Sequence, residues 1–475
     1  MSGLFSDSAD LASPDLRRLI VRLALPAVVG LSANAAHHTA NALFVGAIGV
    51  EALAAVTAAL PIVILVAALG EGLGVGAAAT IGRLLGEGRR GRASVTAATV
   101  IAVAIPIGLA LTAALVLARR PLLELFGAPA TVMSLSETYL AIVACGAVLI
   151  LLQVICDFVA ISEGNTRFSM WTLIGGFGLN VALDPVLIFG LELGVAGAAL
   201  ATIASQIVVL AVYAWYFRRR LGVLRVAPHH VSICRAILKP VLAVGLPAAA
   251  ASALTGAAFA VLYRAAAEHG GEAGLAAAGV ALRVLTLGTL PVIGFALGAQ
   301  AALGYAWGAG DRARVAAATR FMLALTTGFA VIYGLGVIAF ARPIASLFTS
   351  DAATLDLAAP ALIAAHVAFP LIGARYVLLV LLQALGRTRE AGLLALAPNG
   401  YLLAPPLLLL PLWFGFSGVV WSLAAASVLT AGLAAILGAR LWTDLAGPAH
   451  APARTAGLRP LPARPIEATP KGARP

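Results

Sequence analysis

Three carboxylates lie inside otherwise apolar stretches of the first half of this chain: Glu71, Asp157 and Asp184. An ionisable side chain in such a setting is costly, so it marks a place where charge is handled. Asp184 stands four residues after Asn180, which puts both on one helix face. At about 1.5 Å per helical residue, Thr202, Asn41, His37 and His38 reach the same level as that face. Burial disfavours the charged form of a carboxyl. Asp184 could therefore take a proton from one side of a membrane and release it where water enters from the other. The plainer role is a local one at the helix break that Pro185 makes. His37 and His38 could titrate beside Asp184, or simply bond to neighbouring helices.

Glu71 and Asp157 share a second level, nearer the other face of the membrane. Glu71 is flanked by Gly70, Gly72, Gly74 and Gly76, which suits close helix packing or a bend. Either carboxylate could attract a cationic compound or pair with an arginine. The second half has no carboxylate in a span and carries Arg283 and Arg375 instead. With Tyr376 and Asn399 these could line a wall for a substrate that bears a carboxylate, or their heads could snorkel to water. No catalytic residue is expected: there are no paired carboxylates at metal spacing and no nucleophile with a base. Cys145, Cys156 and Cys234 lack metal-ligand spacing, and His229-His230 reads as a solvated loop. No metal site and no organic cofactor are expected from these residues.

The elements that must position these groups are membrane helices. Apolar residues make up 61% of the chain and charged ones 11%, too few charges to wet a soluble surface of 475 residues. Stretches of roughly 20 apolar residues recur twelve times from 18–45 to 418–441, six in each half. The halves also repeat each other at an offset of 221–222 residues: Gly76, Gly82, Gly86, Gly88, Arg90 and Arg92 meet Gly298, Gly304, Gly308, Gly310, Arg312 and Arg314. An all-α integral membrane protein follows, with twelve transmembrane helices in two six-helix lobes related by an axis along the membrane normal. The expected divisions are a polar segment 1–16, a first lobe 17–217, a linker 218–240, a second lobe 241–442 and a disordered Pro/Arg-rich tail 443–475. Most of the 31 basic residues fall in segments on one side, so both termini are expected in the cytoplasm. The net charge of +11 is thus a topogenic signal. It is not a nucleic-acid footprint, since no basic stripe comes with stacking aromatics. A small-molecule substrate, the lipid bilayer and a monomeric state are expected.

Asn-Val-Ala-Leu-Asp-Pro-Val-Leu-Ile-Phe at 180–189 resembles the fifth-helix motif of the multidrug and toxic compound extrusion (MATE) transporters. Gly-Val-Ala-Gly-Ala-Ala-Leu-Ala-Thr at 194–202 is similar to that family's sixth helix, and Ala-Leu-Phe-Val-Gly-Ala-Ile-Gly at 42–49 to the end of its first. Glu-Gly-Asn-Thr at 163–166 resembles its fourth-to-fifth loop, especially in the DinF-like branch. The resemblance covers roughly residues 15–442. It implies an antiporter that exports amphipathic, often cationic organic compounds by alternating access, with a proton or sodium gradient as energy source. The family's cation site maps onto Asp184, Asn180 and Thr202, where sodium is possible. Asn41 stands where that family usually has an Asp, and Asn carries neither proton nor charge. That departure favours protons, with His37 and His38 taking up part of the titrating role. A lipid-linked oligosaccharide flippase and a major facilitator-type transporter are the competing readings.

Overall fold

The computed structural model describes residues 9–126 and 128–446, and these are helical apart from short connections. Lobe one holds α1 (Leu16–Ile48), α2 (Val50–Gly86), α3 (Arg90–Leu117), the short α4 (Arg119–Leu125), α5 (Met133–Cys145), α6 (Ala147–Ser162), α7 (Thr166–Pro185) and α8 (Gly194–Arg219). Lobe two holds α9 (Arg235–Gly308), α10 (Arg312–Ala339), the short α11 (Ala341–Ser346), α12 (Ala352–His366), α13 (Pro370–Leu385), α14 (Thr388–Leu396) and α15 (Ala404–Ala446). Eight of these are long and apolar enough to cross a membrane alone. The pairs α5–α6 and α12–α13 each make one span bent by 49° and 45°. Gly271 divides α9 and Gly415 divides α15, which brings the crossings to the twelve expected. The expected tail lies almost wholly outside the described residues, as does the start of the polar N-terminal segment.

Helix starts are written locally. Asp15, Asn165, Asp311 and Asp351 each accept a backbone N–H from the first turn that follows, satisfying a donor that the helix cannot. The duplication is also written in the backbone. Among the described residues, eight glycines have positive φ, and they fall into four repeat pairs: 49 with 271, 88 with 310, 164 with 386, and 194 with 415. These are the turn and break positions where L side chains are disfavoured.

α1 begins and α15 finishes at the same end of the molecule, here the basal end. Toward the opposite, distal end each lobe has its own apolar core. One draws only on residues between Val45 and Ala199, the other only on residues between Ala258 and Ala426. The basal halves share a single core, in which Ile20, Ile81 and Val159 pack with Val241, Leu303 and Leu381. The lobes are thus joined at the base and part toward the distal end.

Glycines make the basal joint close. A Cβ on Gly72 or Gly76 would strike the Gly245 or Val241 carbonyl of α9. Gly294 and Gly298, at the same places in the repeat, press on Val28 and Ala24 of α1. Gly86 meets the Tyr305 carbonyl and Gly308 the Arg83 carbonyl, so α2 and the end of α9 cross as mirror halves of one contact. Arg83 then reaches across to Gly386 of lobe two.

Candidate functional site

α7 carries Asn180 and Asp184 one turn apart on the face it turns into lobe one, where both are buried, at 1% and 0% exposure. Pro185 ends the α-helical run there, and the chain continues as a π turn over Val186–Gly190. The break fixes Asp184 at the distal end of its helix. Asn41 of α1 donates its Nδ2 to Asp184 Oδ2 at 3.4 Å. Asn180 donates its Nδ2 to Thr202 Oγ1 of α8 at 3.4 Å, while that hydroxyl donates to the Ala198 carbonyl at 3.1 Å. Asn180 Oδ1 and Asp184 Oδ1 are buried without a donor among the described residues. A buried acceptor left in this way is costly unless something supplies a hydrogen or a positive charge. The cluster is built of hard oxygens, which suits a proton or a small cation such as sodium rather than a soft metal. Among the described residues no group of three His, Cys, Asp or Glu could hold a metal ion.

The histidines sit beside this cluster but not bonded to it. His37 stacks face to face on Phe177, with ring centroids 4.8 Å apart and planes 10° apart, and its Nδ1 is buried without a partner among the described residues. His38 is its tilted neighbour at 5.3 Å. Tyr139 of α5 lies within Coulombic reach of Asp184. Sequence reasoning missed it, because the face it presents depends on the bend between α5 and α6.

Glu71 and Asp157 stand at similar depths, with Gly70 packed on Val154 and Gly74 on Phe158, but they turn to different partners. Asp157 Oδ1 accepts from Ser169 Oγ at 2.5 Å and Tyr213 Oη at 2.8 Å, tying α6 to α7 and α8 inside lobe one. Glu71 faces the other way and accepts from Ser252 Oγ of α9 at 2.7 Å, a bond between the lobes. Both bonds use hydroxyls rather than the arginines the sequence left open. In lobe two, Asn399 donates its Nδ2 to Thr255 Oγ1 at 2.9 Å, one turn beyond Ser252. The Arg375 guanidinium lies 4.2 Å over the ring of Tyr376. Arg283 is exposed.

One carboxylate outside the spans is also buried. Glu163, in the α6–α7 loop, accepts from Tyr216 Oη at 2.6 Å and from Leu224 N at 2.8 Å. Burial pushes its carboxyl up to about 7 against the pull of these bonds. Its signal in the sequence was the Glu-Gly-Asn-Thr loop motif, in which Gly164, with a φ of 88°, makes the turn.

Comparisons with known proteins agree with this architecture. The family model MatE matches residues 26–186 and 247–397, one match in each lobe. Multidrug export protein MepA of Staphylococcus aureus (strain N315) is 27% identical over 421 residues, covering 88% of this chain and 92% of that protein. The MepA protein of Staphylococcus saprophyticus is 27% identical over 419 residues, with the same shares covered. Among solved structures, an outward-facing multidrug resistance MATE family transporter of the MOP superfamily superposes with a TM-score of 0.86 at 25% identity, covering 93% of this chain and 98% of that one. A MOP superfamily transporter from Pyrococcus furiosus, described as having a binding pocket of reverse polarity, also gives 0.86 at 25% identity, with 94% and 99% covered. Twelve crossings, a duplicated six-helix lobe and a family match in both halves lead to one conclusion: the chain is a multi-pass membrane transporter, not an enzyme, and belongs to the MatE family of multidrug and toxic compound extrusion proteins.

Proposed function

We propose that the chain is a secondary active antiporter that exports amphipathic organic compounds in exchange for protons, by alternating access of its two lobes. The observation that carries this reading is the pair of donorless buried oxygens, Asp184 Oδ1 and Asn180 Oδ1, beside Asn41 and Thr202. A proton on Asp184 would supply the missing hydrogen, and its loss would leave a bare charge in an apolar wall. Either change alters the balance between α1 and α7, which Asn41 links across their packed faces. His37 and His38 are placed to tune that titration from α1. The export of several compounds by the MepA relatives supports the cargo class. Arg283 and Arg375 in lobe two suit a cargo that adds an anionic group to its apolar or cationic body. The basal end, rich in arginine, is the cytoplasmic one, with both termini there and the chain acting as a monomer in the cell membrane.

Sodium is the second reading, favoured by the side-chain oxygens of Asp184, Asn180 and Thr202. Dye uptake into proteoliposomes under an imposed proton gradient, and separately a sodium gradient, decides between them. Proton-driven uptake that Asp184→Asn reduces to the leak rate is the expected result. Sodium-driven uptake would transfer the site to that ion. A fully active Asp184→Asn protein would remove Asp184 from the mechanism.

A further inference from the structure

Each lobe is entered through a segment that the other lobe holds. Residues 9–15 lead into α1 of lobe one. Arg314, at the start of α10 in lobe two, donates its guanidinium to the carbonyls of Leu11 and Ser13 at 2.8 Å and of Ala12 at 3.3 Å. Leu11 is buried in the shared basal core. Ala9 N donates to the Gly164 carbonyl at 3.1 Å, which returns this lead-in to lobe one. The opposite arrangement is made by residues 222–234, which lead into α9 of lobe two. Lobe one holds them: Leu224 N binds Glu163, Arg225 N donates to Ser94 Oγ at 3.0 Å, and Ser232 N donates to Thr99 Oγ1 at 3.0 Å. Ser94 and Thr99 lie on α3, the repeat counterpart of α10. Leu11 and Ser232 stand 221 residues apart, the offset of the repeat. The two lead-ins therefore cross the base in equivalent places and opposite senses.

We propose that these crossed lead-ins are a pair of releasable straps that hold the basal end shut, and that Arg314 is a positioning residue for transport, acting through the lead-in it grips. The proposal rests on the alternating-access reading above. Arg314 is fixed to lobe two and its three carbonyls to lobe one, so any parting of the lobes at the base must stretch these bonds. The surrounding glycine joint resists parting only by contact, which weakens without a threshold. Hydrogen bonds from a fork of N–H groups are directional and fail over a short distance. The partners are carbonyls rather than a carboxylate, so water can replace the arginine when the base opens and no unpaired anion is left behind. On the other side, Ser94 and Thr99 are neutral hydroxyls that water can likewise replace, and Glu163 keeps Tyr216 Oη as a donor when Leu224 N is released. Such straps add a discrete closed state to a joint that would otherwise slide, as two-state switching requires.

The test reads the base directly, in a chain whose three cysteines are replaced by alanine. Spin labels at Gly91→Cys and Ala317→Cys, exposed positions on the two lobes near the base, report the basal separation in lipid nanodiscs. Arg314→Gln is expected to raise the share of wide separations several-fold, with Arg314→Lys between it and the parent. An unchanged distance distribution in Arg314→Gln overturns the proposal. A role in stability alone would lower the melting temperature and leave the distances where they were. The measurement needs neither substrate nor gradient, so its failure is separate from failure of the antiport reading. A second variant guards against misfolding. Ser13→Cys with Ala313→Cys, joined by a short bis-methanethiosulfonate reagent, should stop dye uptake and recover it when a reductant cleaves the disulfides. Uptake at the unjoined rate would equally overturn the straps.

Discussion

At the scale of single residues, burial without charge pairing separates the groups that can switch from those that merely hold. Asp157 accepts two hydroxyl donors and ties three helices together. Asp184 keeps one oxygen open, and that difference is the reason the coupling role is proposed for it. Burial holds the titration of Glu163 near neutral pH. Its value of about 7 stands above the ordinary glutamate value of 4.5, because burial outweighs the Tyr216 and Leu224 bonds. Its contribution to stability is complete below about 4.5 and is lost as pH rises through about 7. Thermal unfolding in detergent should therefore shift downward by about 1–2 °C between pH 6 and pH 8, because only about one pH unit of the loss, ~1.4 kcal/mol, falls in that window. Glu163→Gln should flatten that dependence while keeping the Tyr216 bond. A pH profile unchanged by Glu163→Gln would place the dependence elsewhere. Asn180 and Asp184 were legible in the sequence, because helical spacing and burial cost act along one element, whereas Thr202 of α8 was reached through its estimated depth and the family resemblance. Tyr139, Glu163 and the Ser252 partner of Glu71 were not, because each contact is made by a bend or by the docking of distant segments.

At the scale of elements, the fold was legible wherever the repeat spoke twice. The glycine register in the first half meets its copy in the second, and the structure brings both copies to one joint. What spacing could not show is the partner of each glycine: Gly72 and Gly76 serve α9, whereas Gly86 serves the far end of that same helix. The joint is tight enough to be tested by bulk. A side chain at Gly86 or Gly308 would have to enter backbone, not the flexible end of a neighbour. Gly308→Leu should cost the closed base about 1–3 kcal/mol, the usual range for overpacking. Cysteine labelling near the base should then become faster, and transport slower. Gly178→Leu, at a position with open space around it, serves as the control and should change neither. Equal effects from both would mean that apolar bulk, not the joint, is being read.

At the scale of the whole molecule, two cores that part distally and one that is shared basally describe a cleft closed at the base. Glu71 and Ser252 bridge the lobes at the distal edge of the glycine contacts, since Gly72 is the last glycine of α2 on that side to press against lobe two. Their bond is therefore among those that must break when the base opens, and Glu71 then meets water from the basal side. This gives the bond a direction: it favours the present state and contributes nothing to the other. Ser252→Ala leaves Glu71 buried without its hydroxyl donor, a loss of about 1–3 kcal/mol, and should shift the population toward the basally open state. Glu71→Gln keeps an acceptor for Ser252 and should shift it far less. Adding Ser252→Ala to Glu71→Ala should have little further effect, because the bond is already gone, and the double-mutant cycle isolates that coupling. Basal cysteine labelling of the four proteins supplies the populations. Additive single effects would mean that the two side chains act separately, and the closed base would then rest on the glycine joint and the strap contacts alone.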